Sequence, residues 1–210
     1  MTNPYRLYLV TDRSSLKHHS LIEVVEAAVK AGVTCVQLRE KNCSLADFIE
    51  LGKALKQLLI HYKVPLFIND RVDVALAVNA DGVHLGNNDI SYEEARQLLG
   101  DTKQIGLTIN RPEQINHFNH YQLAYLGVSA VFKSSVKQDI EHFWTAREIK
   151  QLKTQSNHLL IGIGGITPSN TRQLLANGLD GIAVSSALCG QKNLTAVSIE
   201  TQKFIRELLK

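Results

Sequence analysis

Two aspartates come shortly after apolar runs of strand length, and their chemistry gives the first indication of a site. Asp70 follows the run at residues 65–68, and Asp89 follows the run at residues 82–85. Residues 72–78 between them have the apolar spacing of a short helix. If both runs are parallel strands, the loops at their carboxyl ends meet and the two carboxylates lie together. Such a pair suits Mg²⁺, which takes one or two carboxylates and completes its shell with water and substrate phosphate.

The two aspartates also have a purely structural explanation. Asp is a favoured residue at the N-cap of a helix, and a helix is predicted to follow each of these positions. The stretch by itself leaves the metal site and the pair of helix caps open as explanations.

Three basic residues are predicted just past the ends of other strands, facing the aspartates. They are Arg39, Lys41 and Lys137. A phosphate-rich ligand bridged by Mg²⁺ would satisfy both sets of charges, whereas without it like charges would crowd on each side. The alternative is a set of surface salt bridges, which are common and contribute little stability.

A second anion site is indicated near the end of the sequence. The segment at residues 162–167 (GIGGIT) and the pair Ser185 and Ser186 follow the last two predicted strands. Glycine lets the backbone approach a phosphate closely, and barrels often bind phosphate at these two loops. The alternative is a tight turn that needs glycine for packing.

Other polar side chains are expected to project from the same strand ends. They are Gln37, Asn69, Thr108, Ser134 and Ser135. His84 lies on the fourth predicted strand, where it either touches a substrate or is a packed core imidazole. The other histidines fall in predicted loops or helices. Neither a Cys–His pair nor a GxSxG motif occurs, so nucleophilic acyl chemistry has no support.

Eight runs of strand character alternate with segments of helical periodicity. The predicted strands lie at residues 5–11, 35–39, 65–68, 82–85, 104–108, 123–126, 159–163 and 181–184. The predicted helices begin near residues 20, 44, 72, 91, 112, 140, 167 and 194. Residues 127–137 are expected to form a long loop, and the helix at residues 140–152 is expected to carry Phe143 and Trp144.

This alternation predicts an α/β fold with a parallel sheet, and eight units most simply close as a single (β/α)₈ TIM barrel. One domain is expected to span residues 1–210. The alternative is a doubly wound open sheet, which would place its glycine-rich turn after the first strand. Here the glycines come late.

Composition excludes several classes of protein. The net charge is only +3 and aromatic residues make up 6% of the chain, so a nucleic-acid-binding surface is not expected. No apolar run reaches the roughly 20 residues of a membrane span, and a charged leader with an apolar core is not expected before the first predicted strand. The three cysteines have no metal-ligand spacing and leave an odd thiol, which favours a reducing compartment. A cytoplasmic location is therefore expected.

Taken together, these residues resemble the thiamine phosphate synthases nearly from end to end. The segments that carry the resemblance are residues 8–12 (YLVTD), 36–41 (VQLREK), 67–71 (FINDR), 82–86 (GVHLG) with Asp89, and 183–187 (AVSSA). The family has the (β/α)₈ fold. It joins a hydroxymethylpyrimidine diphosphate to a thiazole phosphate, which the resemblance implies here, and a homodimer is expected from the family as well.

The resemblance also implies roles for individual residues. Asp70 and Asp89 match the Mg²⁺ ligands, and Gln37 and His84 match positions near the pyrimidine. Gly165, Ser185 and Ser186 match the end that binds the thiazole phosphate, and Ser134 keeps a hydroxyl of the loop after the sixth strand. The residues that match diphosphate contacts are Arg39, Lys41, Asn69 and Lys137, together with Thr108, where the family has serine.

Several positions depart from the family pattern. The loop after the sixth strand has Val136 and Lys133 in place of the usual threonine and proline, and Asn87 and Asn110 replace a glutamine and a histidine. Two other functions therefore stay open. One is a TenI-like thiazole tautomerase, although such enzymes usually lack the paired aspartates and rely on a histidine at Asn110. The other is a regulatory paralogue that binds a thiamine precursor without turning it over.

Overall fold

Eight short parallel strands close into a barrel in the order of the sequence. They are β1 (Leu7–Val10), β2 (Cys35–Leu38), β3 (Leu66–Asn69), β4 (Gly82–Leu85), β5 (Gln104–Ile109), β6 (Tyr125–Ser129), β7 (Leu160–Ile163) and β8 (Gly181–Val184). Closure is completed between the last strand and the first, where Leu7 pairs with Ile182 and Leu9 with Val184. The prediction of a (β/α)₈ barrel is confirmed, and the doubly wound open sheet is wrong.

The structure is a computed structural model that describes residues 3–133 and 142–210. Its helices are α1 (Leu21–Lys30), α2 (Leu45–Tyr62), α3 (Val72–Ala77), α4 (Tyr92–Leu99), α5 (Ile115–Phe118), α6 (Ala146–Gln155), α7 (Pro168–Ala176), α8 (Ser186–Cys189) and α9 (Leu194–Leu208). Their apolar faces pack on the outside of the strands and form the larger of two cores. Within the described ranges, none of these helices has both the length and the apolar character that crossing a membrane requires.

The helices begin where polar side chains satisfy their first backbone N–H groups. Ser20, Ser91 and Thr145 each accept from the N–H three residues later, and a glutamate at that position bonds back to the cap. Each of these capping boxes stabilises its helix start, typically by about 1 kcal/mol. They fix where each loop ends and so hold the strand–helix connections at the barrel mouth.

The smaller core fills the inside of the barrel, and aromatic rings dominate it. Tyr5, Tyr8, Phe67 and Tyr125 pack with ring centroids 5.0–6.3 Å apart. Glycine makes room for these rings on a neighbouring strand. A Cβ at Gly106 would lie 2.4 Å from Cζ of Tyr125. The interior is therefore a packed floor beneath the mouth rather than a channel.

The sixth strand lies further along the chain than predicted. It covers Tyr125–Ser129 instead of residues 123–126, so Gly127 belongs to the strand and not to the loop. Gly127 interrupts the apolar pattern because a Cβ there would approach Cε1 of His84 to 3.1 Å. A glycine inside a strand often marks such a close approach, and sequence periodicity does not register it.

The sixth helix begins later than predicted. Residues 142–145 are not helical, and the helix starts at Ala146 after the Thr145 cap. Trp144 is buried ahead of the helix, where its backbone N–H donates to Ala130 O at 3.0 Å and its Nε1 donates to Ser129 O at 3.2 Å. Residues 140 and 141 of the predicted helix lie outside the described part of the chain.

Substituting Gly106 with alanine should destabilise the protein by about 1–3 kcal/mol, because the new methyl group overpacks the ring of Tyr125. The measurement is the free energy of unfolding in urea. In a Tyr125→Leu background the same substitution should cost less, since the clashing ring atoms are gone. An unchanged unfolding free energy for Gly106→Ala alone would show that the interior is not filled as described.

Candidate active site

The carboxyl ends of β3 and β4 bring the first predicted site residues together. Asn69 ends β3 and pairs in register with His84 on β4. The next backbone N–H, that of Asp70, donates to His84 O at 2.8 Å. Asp70 has a left-handed backbone with φ of 63°, a conformation that Asp tolerates better than most residues. The chain thereby turns off the sheet at once and leaves this carboxylate at the mouth.

Asp70 and Asp89 lie against each other, as the sequence predicts. The pKa of Asp70 is raised to about 6, first by burial and then by the adjacent carboxyl of Asp89, which acts through a hydrogen bond and its charge. Arg39 and Lys41 act in the opposite direction without cancelling the effect. Asp89 is held in place by Gly86, whose backbone N–H donates to Asp89 Oδ2 at 2.6 Å. The four charged residues therefore share one electrostatic environment.

Neither aspartate caps a helix. The N-cap of α3 is Arg71, which makes no side-chain cap hydrogen bond, and the N-cap of α4 is Ser91. The alternative that Asp70 and Asp89 are helix caps is therefore wrong. Two half-buried carboxylates in contact are unfavourable unless a proton or a cation lies between them.

This donor set fits a hard divalent cation. Among residues 3–133 and 142–210, no cluster of three or more His, Cys, Asp or Glu side chains could hold a metal. A pair of carboxylates is what Mg²⁺ uses when water and substrate phosphate complete its shell. Asp70 and Asp89 are the residues that would hold it.

The basic residues lie beside this pair. The backbone N–H of Arg39 donates to Thr11 Oγ1 at 2.9 Å, which ties the end of β2 to the end of β1. Lys41 is exposed. In the described part of the chain neither Arg39 nor Lys41 forms an ion pair, so the salt-bridge explanation has no support for them. Lys137 and Ser134 lie outside the described residues.

A cavity of about 440 Å³ opens beside the carboxylates, between the loops that follow β2 and β3. Its lining residues are Glu40, Lys41, Asn42, Cys43, Leu45, Phe48, Asn69, Asp70 and Arg71. Basic, amide and acidic side chains thus share one concave surface. A phosphorylated ligand could contact all three kinds of side chain there.

Sequence reasoning missed Glu40. Its side chain is 6% exposed, and one carboxylate oxygen lies 3.3 Å from Nη1 of Arg13. Its other oxygen, Oε1, has no hydrogen-bond partner in the described part of the chain. Burial raises the pKa of Glu40, and Arg13 opposes that shift. The only signal in the sequence is its position between Arg39 and Lys41.

A second cavity, of about 530 Å³, lies between the loops after β4 and β5. Asn87, Asn110, Arg111, Glu113 and Gln114 line it. Two of these residues, Asn87 and Asn110, are departures from the family pattern described above. These two departures therefore fall on one surface, which includes the loop that carries Asp89.

Gln37, His84 and Thr108 are joined inside the barrel by two buried tyrosines. Gln37 Nε2 donates to Tyr8 Oη at 3.3 Å, and Tyr8 Oη lies 3.0 Å from Tyr125 Oη. His84 Nδ1 is 2.9 Å from Tyr125 Oη, and its Nε2 is 2.8 Å from Thr108 Oγ1. Sequence reasoning missed both tyrosines. The available signal was that a tyrosine buried in a strand normally needs a hydrogen-bond partner.

The glycine turn after β7 packs against the loop after β6. Gly164 and Gly165 have φ of 105° and 59°, and a Cβ on Gly165 would lie 2.5 Å from Lys133 O. Packing alone therefore requires glycine here. The turn lies beside the start of α8, whose N-cap is Ser185, because β7 and β8 are paired neighbours. Gly165, Ser185 and Ser186 thus follow two neighbouring strands, and their role as a phosphate site stays a prediction.

The fold and the grouping of side chains at its mouth define a (β/α)₈-barrel enzyme with acidic and basic residues at the carboxyl ends of its strands. A comparison with protein families then narrows this class. The chain belongs to the thiamine monophosphate synthase family, whose model matches residues 7–188. Its relatives are transferases, and the resemblance seen in the sequence is confirmed.

Individual relatives cover nearly the whole chain. The thiamine-phosphate synthase of Clostridium acetobutylicum is 43% identical over 190 residues, which is 90% of each chain. That of Vibrio parahaemolyticus is 44% identical over 197 residues, covering 92% of this chain and 94% of the relative. The solved thiamine phosphate pyrophosphorylase from Pyrococcus furiosus superposes with a TM-score of 0.89 at 33% identity, over 99% of this chain and 97% of its own.

The carboxylate pair predicts a pH-dependent gain in stability when Asp70 is replaced by asparagine. The pKa of about 6 in the folded state exceeds the unfolded value of roughly 3.9, so ionisation of Asp70 opposes folding, by about 1–2 kcal/mol once solvent screening of this half-buried carboxyl is included. The cost is absent below about pH 4, develops as the pH rises through the folded pKa, and is complete above about pH 7. Asp70→Asn should therefore stabilise the metal-free protein at pH 8 and have little effect at pH 4.

Urea unfolding with a chelator present measures this difference. Asp101→Asn, at an exposed aspartate in the turn before β5, is the matched control and should change stability at neither pH. Equal stability of Asp70→Asn and the native sequence at pH 8 would contradict the described crowding of the two carboxylates.

Proposed function

We propose that this chain joins 4-amino-2-methyl-5-hydroxymethylpyrimidine diphosphate to 4-methyl-5-(2-phosphoethyl)thiazole, in its simple or carboxylated form. The products are thiamine monophosphate and pyrophosphate. The observation that carries the proposal is the contact of Asp70 with Asp89 beside Arg39 and Lys41 at the barrel mouth. The names of the relatives support the same reaction.

The chemistry of this reaction matches the kind of site present. The reacting carbon is benzylic to an electron-rich aminopyrimidine, so its bond to oxygen can break first, with the electron pair leaving on pyrophosphate. The lone pair of the thiazole nitrogen then forms the new C–N bond to the stabilised cation. The nucleophile loses no proton, so the reaction needs no strong general base. The enzyme has to neutralise the leaving group and position the two substrates.

The residues at the mouth are suited to the diphosphate. Asp70 and Asp89 would hold Mg²⁺, which when bound neutralises charge on the diphosphate. Arg39, Lys41 and Lys137 are the proposed catalytic residues, since they would stabilise the charge that develops on the leaving oxygen. Asn69 and Thr108 would hydrogen-bond the same group. Gln37 and His84 are assigned to the pyrimidine side.

The thiazole phosphate is assigned to the opposite part of the mouth. Gly165, Ser185 and Ser186 lie at the loops after β7 and β8, where barrels commonly bind phosphate. Ser134, in the loop after β6, is assigned to the same end. The separation of the two ends leaves the reacting carbon and the thiazole nitrogen between them.

The wider properties of the chain are proposals of the same kind. Small molecules are the proposed partners, rather than nucleic acid or membrane, and a homodimer is proposed from the family. A cytoplasmic location is supported by three cysteines that are unpaired in the structure, Cys35, Cys43 and Cys189. Light scattering of the purified protein tests the dimer directly.

The decisive experiment mixes the purified protein with Mg²⁺ and the two substrates and follows thiamine phosphate and pyrophosphate. Thiamine phosphate and pyrophosphate should form in equal amounts. The Asp70→Ala, Asp89→Ala double variant should lose this activity, and it should also lose the thermal stabilisation that Mg²⁺ gives the native protein. Asp101→Ala is the control that should retain both.

Two results would overturn the proposal. If the folded protein binds both substrates but makes no product, the regulatory paralogue is the better explanation. If the protein instead isomerises a thiazole without the diphosphate substrate, the tautomerase is the better explanation. Retained activity in the double variant would remove the two aspartates from the metal site while leaving the reaction in place.

Lys41→Ala should lower kcat/KM by about 10²-fold, because it removes one charge that stabilises the departing pyrophosphate. Release of pyrophosphate under saturating Mg²⁺ is the measurement. Lys53→Ala, which removes an exposed lysine from α2, is the matched control. Equal rates for the two variants would place Lys41 outside the site.

A further inference from the structure

Five side chains from five different strands form one continuous hydrogen-bonded chain across the barrel. In order they are Gln37 on β2, Tyr8 on β1, Tyr125 on β6, His84 on β4 and Thr108 on β5. This set is called the relay below. Its two ends, Gln37 and Thr108, are proposed substrate-binding residues, whereas its two tyrosines have no assigned role.

The tyrosines cannot reach a ligand in the mouth. Tyr8 and Tyr125 are each 1% exposed, and their rings pack edge to face with centroids 5.5 Å apart. The ring of His84 stacks on Tyr125 at an interplanar angle of 10°. Burial raises the pKa of both phenols well above its ordinary value, so each carries its proton. Any influence that they have on catalysis acts through the residues at the ends of the relay.

The donors and acceptors available at each residue determine the direction of the hydrogen bonds in the relay. The amide nitrogen of Gln37 can only donate, so Tyr8 Oη accepts from it. Tyr8 then has one proton to give, and Tyr125 Oη lies 3.0 Å away. If Tyr125 instead donated to Tyr8, the hydroxyl proton of Tyr8 would be left with the sulfur of Cys35, which is a weak acceptor. The phenol of Tyr125 therefore accepts from Tyr8 and donates its own proton to His84 Nδ1.

We propose that this relay fixes His84 as the tautomer protonated on Nε2, and that His84 is a positioning residue for the hydroxyl of Thr108. With Nδ1 accepting from Tyr125, the neutral ring carries its proton on Nε2 and donates it to Thr108 Oγ1 at 2.8 Å. The hydroxyl proton of Thr108 is then directed away from His84 and is available to an oxygen of the leaving diphosphate. This role rests on the proposed function, whereas the tautomer does not.

The relay also changes the assignment of His84. Both of its ring nitrogens are already hydrogen-bonded to protein, so a direct bond from either nitrogen to the pyrimidine would have to break one of these contacts. Gly127 supports the observed placement, since a side chain there would push on Cε1 of the imidazole. His84 therefore acts through Thr108.

The tautomer is tested without any assay of activity. Two-bond ¹H–¹⁵N correlation spectra of protein labelled with ¹⁵N-histidine distinguish the two ring nitrogens, and the signals that disappear in His84→Gln assign the residue. The expected result is a protonated Nε2 and an unprotonated Nδ1 at pH 7.5. A protonated Nδ1, in either the other neutral tautomer or the imidazolium, would overturn the direction of the relay.

Kinetics tests the positioning role. Tyr125→Phe keeps the ring and should lower kcat roughly tenfold through misplacement of the Thr108 hydroxyl. Tyr121→Phe removes a surface phenol that bonds Glu93 and His117, and this control should leave kcat unchanged. Equal kcat values for Tyr125→Phe and the native protein would overturn the role.

A double-mutant cycle separates action through Thr108 from direct contact with substrate. Thr108→Val should lower kcat by about 10²-fold and Thr108→Ser should restore most of it, because serine keeps the donor. In the Thr108→Val background, His84→Gln should cause little further loss, since its target hydroxyl is gone. If the kcat losses of Thr108→Val and His84→Gln multiply in the double variant, the positioning role of His84 is overturned. If the native protein makes no product, the proposed function fails, and the spectra still decide the tautomer.

Discussion

Filling the inside of the barrel with aromatic rings is the constraint on which the rest of the structure depends. Eight short strands enclose little volume, and Tyr8, Phe67 and Tyr125 pack against one another inside it. The neighbouring strands have to leave room for the rings, which is why Gly82 is paired with Phe67 and Gly106 with Tyr125. This packed floor determines where the mouth begins, because polar side chains can line the barrel only above the aromatic rings. Packing and chemistry are thus two layers of one barrel.

The layer above the floor is organised by charge rather than by packing. Asp70 and Asp89 repel each other, and burial strengthens that repulsion. A fold selected for stability alone would replace one of them with an amide. That both carboxylates are present is understandable if the site is completed only when cationic and anionic ligands arrive together. Arg39 and Lys41 are in place to complement the anionic part, which is the arrangement expected for transfer of a group away from a diphosphate.

The sequence predicted the barrel and the meeting of Asp70 with Asp89 because both follow from local patterns. Asp70 and Asp89 could be found from their positions after apolar runs, and the strand at Gly82–Leu85 matched its prediction. The relay could not be predicted, because Tyr8 and Tyr125 look like ordinary core residues until strands far apart in sequence are brought together. The start of α6 was misplaced for a related reason. Trp144 has helical spacing from the residues that follow it, yet it is buried against the end of β6.

The contact between two loops at the mouth has a consequence for how such enzymes diverge. The backbone of Lys133 occupies the space that a side chain at residue 165 would need, and Ala130 does the same for residue 164. The loop after β6 and the turn after β7 therefore cannot vary independently. Exchanging the first between relatives should produce a folded chimera only when the second is exchanged with it. The two segments pack as one unit, although more than thirty residues separate Ala130 from Gly164 along the chain.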